Sequence, residues 1–251
     1  MNRCRNSLNL QLRAVTVAAL VVVASSAALA WDSASRNPTH PTHSYLTEYA
    51  IDQLGVARPE LRQYRKQIIE GANTELHELP VKGTAYGLDL DAKRREHRGT
   101  NAGTDDIAGW WAESLQAYRA GAKERAYFVL GVVLHMVEDM GVPAHANGVY
   151  HQGNLTEFDN FEFMGLSNWK PSFADINRTD PGYADPSRYY EFSRDWTAAD
   201  APGYRDRDSF SKTWVLASPA ERQLLQNRQG RTATVAMWAL RSATKAFAGK
   251  P

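Results

Sequence analysis

The chain has 251 residues and a nearly balanced charge, with 29 Lys and Arg against 28 Asp and Glu and a formal net charge of +1. This balance disfavours a protein that binds nucleic acid through bulk positive charge, although a local basic groove is compatible with it. The only cysteine is Cys4, so a chain that loses its first residues has no disulfide and must be held by its core, by bound metal or by both.

Residues 1–30 have the composition of a secretory signal peptide. A basic start with three arginines precedes a short apolar run, and Ala28-Leu29-Ala30 is a small-x-small cleavage site. Cleavage there removes 30 residues and the three arginines, which leaves 221 residues with a net charge of −2. We therefore expect a secreted or periplasmic domain, residues 31–251, that begins at Trp31. Its free terminal amine and the adjacent carbonyl oxygen could chelate a metal ion.

Helical periodicity dominates the mature chain. Apolar residues recur at spacings of three and four, bounded by Pro, Ser or Thr at the start and Gly at the end. The predicted helices cover residues 41–54, 59–71, 104–121, 123–140, 156–164 and 218–247, with a Thr104 cap on the third and a candidate break at Gly230 in the last.

Two long segments, residues 71–104 and 168–209, are rich in Gly, Asp and Arg and are predicted to be mostly loop, with room for one turn of helix in the second. No stretch shows the alternation that is typical of strands, and no internal repeat is present. The sequence therefore predicts an all-α fold, a single compact multi-helix bundle with a metal cleft and long connecting loops. Long loops in compact domains are often functional.

A histidine and an aspartate inside the most apolar predicted helix are the strongest chemical signal. His135 and Asp139 lie four residues apart, so their side chains project from the same helix face. Such groups are costly to bury unless they are paired or bind a metal. His145 follows a break at Gly141 and Pro143, and the resulting His-x3-Asp-x5-His pattern offers ligands suited to zinc. A hydrogen-bonded His–Asp pair without metal is the alternative.

Other side chains on either side of this pattern could complete a metal site. Alone, none of them is persuasive, because a loop histidine more often faces solvent than binds metal. The candidates are His40, His43, Glu75, His97, His151, Glu157, Asp159 and Glu162.

Taken in order along the chain, these residues resemble the bacterial zinc-dependent phospholipases C. The superfamily also includes the zinc-dependent single-strand nucleases of fungi and plants. The resemblance is closest over residues 117–146 and extends across almost the whole mature chain. It rests on Trp31 after the leader, His43, Glu75, His97, the pattern from His135 to His145, and Phe161-Glu162.

The resemblance implies an all-α bundle that holds three zinc ions in a cleft. For the first ion, the implied ligands are the amino nitrogen and carbonyl oxygen of Trp31, together with His43 and Asp139. Asp139 would bridge to the second ion, whose other implied ligands are His97, His135 and Glu75, the last being the nearest match to an aspartate of the family.

The third implied zinc site departs from the family pattern. His145 and Glu162 match two of its ligands, but the family places a second histidine four residues before the glutamate. Phe158 occupies that position here. Either His151 or Asp159 could take the place of the missing histidine, and without them the third site would be weak or empty.

The implied chemistry is hydrolysis of a phosphodiester. Clustered zinc ions lower the pKa of bound water and neutralise phosphate charge, so a zinc-bound hydroxide would attack phosphorus without a covalent nucleophile. The resemblance gives Glu75 and Asp139 catalytic roles, with Glu75 orienting the water or acting as general base. The Trp31-Asp32 start favours a phospholipase C that cleaves phosphatidylcholine-type lipids to diacylglycerol and a phospho-headgroup, since the nuclease branch usually begins Trp-Gly.

Two alternatives to the phospholipase stay open. A secreted single-strand nuclease would need a base-stacking pocket and a basic groove, for which the aromatic and arginine residues between 169 and 205 are candidates. A non-catalytic, metal-stabilised binding protein is the other. For the phospholipase we expect a phospholipid substrate and a transient contact with the membrane surface, and no stable nucleic-acid partner.

Overall fold

A computed structural model of the chain describes residues 42–74, 101–149, 160–165, 168–200, 210–211 and 213–249. These residues form nine α-helices and one 3-10 turn (Pro186–Arg188), and no strand occurs among them, which confirms the predicted all-α fold. Within these ranges, no helix is both long enough and apolar enough to cross a membrane. The predicted signal peptide lies outside the described residues.

The helices are α1 (Thr42–Leu54), α2 (Pro59–Gln63), α3 (Arg65–Ala72), α4 (Asn101–Arg119), α5 (Lys123–Asp139), α6 (Pro143–Ala146), α7 (Asn160–Gly165), α8 (Tyr189–Asp200) and α9 (Pro219–Phe247).

Helix α5 is the centre of the fold because it is apolar on every side. Every residue from Ala126 to Asp139 is buried. The helix packs against α3, α4, α8 and α9, and their apolar side chains form one cluster with it. Burial of this apolar surface is the main driving force for folding. It also removes His135, Glu138 and Asp139, near the end of the helix, from water.

Two glycines let α3 and α5 cross in close contact. A Cβ atom on Gly71 would lie 2.1 Å from the carbonyl oxygen of Phe128, and one on Gly131 would lie 2.2 Å from the carbonyl oxygen of Ile68. Both distances are far below van der Waals contact, so no side chain fits at either position. The crossing brings the end of α3 beside the part of α5 that carries His135.

A second apolar cluster holds the segments that follow α5. It joins α6 and α7 to α1 and to the start of α9, so the chain after Asp139 turns back onto the bundle. Val142 donates a backbone hydrogen bond of 2.9 Å to the carbonyl oxygen of Asp139, which makes this turn tight. The members of the cluster are Leu46, Val142, Ala144, Phe161, Met164, Ala217, Leu225 and Ala233.

Two predicted helix boundaries are wrong. The helix predicted over 59–71 is two helices, because the backbone turns at Tyr64, whose ring stacks on that of Tyr127 at 4.6 Å. The predicted Thr104 cap lies inside α4, which begins at Asn101. Asparagine also favours helix starts, and two such residues within one turn leave the sequence signal ambiguous.

The segment predicted as mostly loop after residue 168 contains a further helix, α8. Its composition of Asp, Arg and Tyr obscured a buried face formed by Tyr189, Ser193, Trp196 and Thr197. The break considered at Gly230 is also wrong, because α9 is continuous. Gly230 instead lets the backbone at Ser172 approach α9 closely, since a Cβ atom at Gly230 would lie 2.0 Å from the carbonyl oxygen of Ser172.

The α3–α5 crossing predicts opposite effects for two Gly→Ala changes. Gly131→Ala should lower the free energy of unfolding by about 1–3 kcal/mol, because the methyl group forces the two backbones apart. Gly109→Ala on α4 is the matched control, since its methyl group would meet no described atom within 4 Å. It should raise the free energy of unfolding by about 0.5–1 kcal/mol through helix propensity. Urea denaturation of both variants measures this, and equal stabilisation would show that the crossing is not tight.

Candidate metal centre

Three buried side chains from two helices meet at one point. His43 lies in the first turn of α1, and His135 and Asp139 lie one turn apart near the end of α5. Each has no solvent exposure. One ligand atom from each of the three lies within 4.8 Å of the other two, so together they could hold a metal ion. The predicted pairing of His135 with Asp139 on one face of the buried helix is confirmed.

Two nitrogen–oxygen separations within this group are those expected for two ligands of one zinc ion. Nε2 of His43 lies 3.3 Å from Oδ1 of Asp139, and Nε2 of His135 lies 3.3 Å from Oδ2 of the same carboxylate. In a tetrahedral zinc site with bonds of about 2.0–2.2 Å, neighbouring ligand atoms are about 3.3–3.6 Å apart. The two imidazole rings stack at 4.2 Å with an angle of 18° between them. Each ring therefore faces a different oxygen of Asp139.

A backbone carbonyl group fixes the proton on His135. Nδ1 of His135 lies 2.6 Å from the carbonyl oxygen of Ala72, the last residue of α3. A carbonyl oxygen can only accept, so Nδ1 carries a proton, and Nε2, which faces Asp139, is the nitrogen that would bind a metal ion when the ring is neutral. Metal-binding histidines have this arrangement, with the remote nitrogen donating to a carbonyl or carboxylate group.

A buried glutamate orients the second imidazole ring. Nδ1 of His43 lies 2.6 Å from Oε2 of Glu138, and the hydroxyl group of Thr47 donates to Oε1 of Glu138 at 2.8 Å. Thr47 lies one turn after His43 on α1, so a single carboxylate group fixes both side chains. Carboxylate–histidine pairs of this kind hold the ring of a metal ligand in place and raise its basicity.

The electrostatics of the group favour a cation. Burial alone lowers the pKa of His43, but hydrogen bonds to Asp139 and Glu138 and the charges of both carboxylates raise it to about 10. Burial raises the pKa of Glu138, against the lowering effect of His43. Both carboxylates also lie at the C-terminal end of α5, where the helix dipole adds negative potential. A proton on His43 supplies one balancing charge, and a divalent cation supplies two.

His145 and Glu162 form a second buried pair. Nε2 of His145 lies 3.0 Å from Oε1 of Glu162, and the two side chains are 1% and 6% exposed. Helix α6 places His145 directly after the turn that follows Asp139, and α7 carries Glu162. Two of the residues predicted for a third zinc site are therefore in contact.

The remaining predicted ligands fall outside the part of the chain that the structure describes. This applies to residues before α1, between α3 and α4, and between α6 and α7. They are Trp31, His40, Glu75, His97, His151, Glu157 and Asp159.

Glu138 is the site residue that the sequence reasoning missed. It lies beside Asp139 in the same apolar helix, where an ionisable residue is as costly to bury as His135 or Asp139. This cost of burial is the sequence feature that points to Glu138 as a site residue. Its contacts with His43 and Thr47 span more than 90 residues of sequence, and no local spacing predicts them.

Comparison of the chain with protein-family models, with curated proteins and with solved structures found no match. Function is therefore inferred from the chemistry of the buried groups and from the resemblance in sequence.

The orienting role of Glu138 predicts a loss of metal affinity in Glu138→Gln. The amide keeps the size of the side chain but removes the charge behind His43, and zinc should bind about 10- to 100-fold more weakly. Glu124→Gln is the matched control, because Glu124 is an exposed glutamate at the other end of α5. Competition with a chelating dye measures both affinities. Unchanged affinity in Glu138→Gln would show that the carboxylate does not support a metal ligand.

Proposed function

We propose that this protein is a secreted zinc-dependent phosphodiesterase of the phospholipase C type. The observation that carries the proposal is the position of Asp139 at the edges of two stacked imidazole rings, with Nε2 of each ring at 3.3 Å from a different carboxylate oxygen. A carboxylate with this geometry can share its oxygens between two adjacent ions. That arrangement is the one implied by the resemblance to the zinc-dependent phospholipases C.

The described residues can bind the proposed ions in two groups. His43, His135 and Asp139 would hold the paired ions, with Trp31, His97 and Glu75 as the further ligands that the resemblance implies. The pair of His145 and Glu162 would hold a third ion, completed by His151 or Asp159. Zinc in such a cluster supplies water of lowered pKa and positive charge that neutralises a phosphodiester.

The protein residues have separate tasks in this proposal. Asp139 holds the two imidazole rings at a fixed separation, and the carbonyl oxygen of Ala72 keeps the proton of His135 on Nδ1. Glu138 anchors His43 to α1 through Thr47. Because these groups lie on three packed helices, the site is organised before a metal binds. Glu75 is proposed to orient the attacking water or to act as general base.

A lipid substrate is favoured over a nucleic acid by two features of the sequence. The near-neutral charge of the mature chain suits a zwitterionic headgroup such as phosphocholine, and the Trp31-Asp32 start matches the phospholipase branch. Secretion is proposed from the sequence of residues 1–30. The products would be diacylglycerol and a phospho-headgroup.

Phosphorus NMR tests the proposal. The protein, purified after export with its first residue identified and zinc supplied, is given phosphatidylcholine mixed micelles and single-stranded RNA. We expect a phosphocholine signal, because the near-neutral charge of the mature chain and the Trp31-Asp32 start favour a lipid phosphodiester. A chelator should abolish the signal, and His135→Ala and Asp139→Asn should each lose at least about 100-fold in rate, as expected for removal of a metal ligand.

The control is Glu124→Gln, which should retain the full rate. Mononucleotide signals instead of phosphocholine would identify a nuclease. Bound zinc without hydrolysis of either substrate would identify a non-catalytic binding protein. Undiminished hydrolysis by His135→Ala and Asp139→Asn would show that the buried group is not the catalytic centre.

A further inference from the structure

Two large apolar side chains stand in water on a turn that is held rigidly. Val215 is 82% exposed and Leu216 is 71% exposed. The backbone N–H groups of Leu216 and Ala217 both donate to the carbonyl oxygen of Thr213, at 3.1 and 3.0 Å. Nη2 of Arg222 donates to the carbonyl oxygen of Val215 at 3.1 Å. The turn is therefore fixed at both ends with its apolar side chains pointing outward.

Two cations lie close to the tryptophan of this turn. The ring of Trp214 is partly buried, and Nζ of Lys170 and the guanidinium carbon of Arg222 each lie 5.3 Å from its centroid. The turn therefore presents two exposed aliphatic groups beside an indole ring that has two positive charges close to it. A lipid surface offers complementary groups, which are acyl chains, an interface that favours tryptophan, and phosphate groups that attract cations.

The turn lies beside the helix that carries one of the buried metal-binding pairs. Ala217 belongs to the second apolar cluster together with Phe161. Phe210, which precedes the turn, packs on Phe161 at 5.1 Å, and its carbonyl oxygen accepts a 2.9 Å hydrogen bond from Asn160. Phe161 is next to Glu162, the partner of His145. The exposed turn and the His145–Glu162 pair are thus parts of one packed unit.

We propose that the turn of residues 213–217 is a lipid-binding anchor. Val215 and Leu216 enter the acyl region, Trp214 lies at headgroup level, and Lys170 and Arg222 contact lipid phosphates. The patch has two aliphatic side chains, which is far less than the roughly 800 Å² per partner of a stable protein interface. Charge complementarity and size therefore favour a membrane surface as the occupant. This inference rests on the proposed function and names the surface through which it reaches its substrate.

The test compares binding of two variants to vesicles. Val215→Ser combined with Leu216→Ser removes the aliphatic tip, and Val56→Ser is the matched control because Val56 is 79% exposed elsewhere on the molecule. Co-sedimentation with phosphatidylcholine vesicles, with and without phosphatidylglycerol, is measured before appreciable hydrolysis. Loss of the two side chains should weaken binding by about tenfold or more, since 1.4 kcal/mol of lost burial corresponds to tenfold. Val56→Ser should bind as the unmodified protein does.

Hydrolysis of monomeric short-chain phosphatidylcholine separates this inference from the proposed function. If the double variant cleaves monomers normally and loses activity on vesicles, both are supported. Equal vesicle binding by the double variant and Val56→Ser would overturn the anchor, whatever the activity. Tip-dependent vesicle binding without hydrolysis of any phosphatidylcholine would support the anchor and overturn the proposed function. Self-association that the double variant abolishes, without vesicle binding, would overturn the anchor in favour of a second copy of the chain.

Discussion

Burial of two imidazole rings and two carboxylate groups at the end of α5 is the constraint on which the rest of the site depends. The helix is apolar on every side because it is the centre of the bundle, so its polar residues can be tolerated only with full compensation. Hydrogen bonds with His43, Thr47 and the carbonyl oxygen of Ala72 supply this compensation for Glu138 and for Nδ1 of His135. His135 and Asp139 could hold a cation there together with His43, so α5 contributes both to the core of the fold and to the candidate metal centre.

Gly71 and Gly131, at the α3–α5 crossing, connect the candidate metal centre to the packing of the helices. They let the last carbonyl group of α3 reach His135, and that contact decides which ring nitrogen faces Asp139. On the other side, the hydrogen bond from Asn73 to Ser44 at 2.7 Å ties the end of α3 to the turn of α1 that carries His43. Three helix ends are thus fixed relative to one another without a disulfide. The chemistry proposed for the site requires this rigidity, because bridging ions tolerate little variation in ligand separation.

Local periodicity predicted the fold class, α1, α5 and the pairing of His135 with Asp139, since these depend on spacings within one helix. It failed at α8, where charged residues obscured the buried face, and at Tyr64, where packing on Tyr127 accompanies a turn. Local spacing does not predict the contact between His43 and Glu138, because the two residues are 95 positions apart in the sequence. The contact between His145 and Glu162 was expected from family resemblance, and its zinc ligation stays a prediction. Sequence therefore predicted which ionisable residues are buried better than which neighbours stabilise them.

The proposed function depends above all on metal binding by the group of His43, His135 and Asp139. The most direct measurement is anomalous diffraction from crystals of the zinc-supplied protein, collected above and below the zinc absorption edge. We predict a difference peak between Nε2 of each histidine and the Asp139 oxygen that it faces, at bond lengths of about 2.0–2.2 Å. Density that shows the imidazole rings in direct contact with the carboxylate, with no anomalous peak there, would contradict it. The group would then be a hydrogen-bonded core cluster.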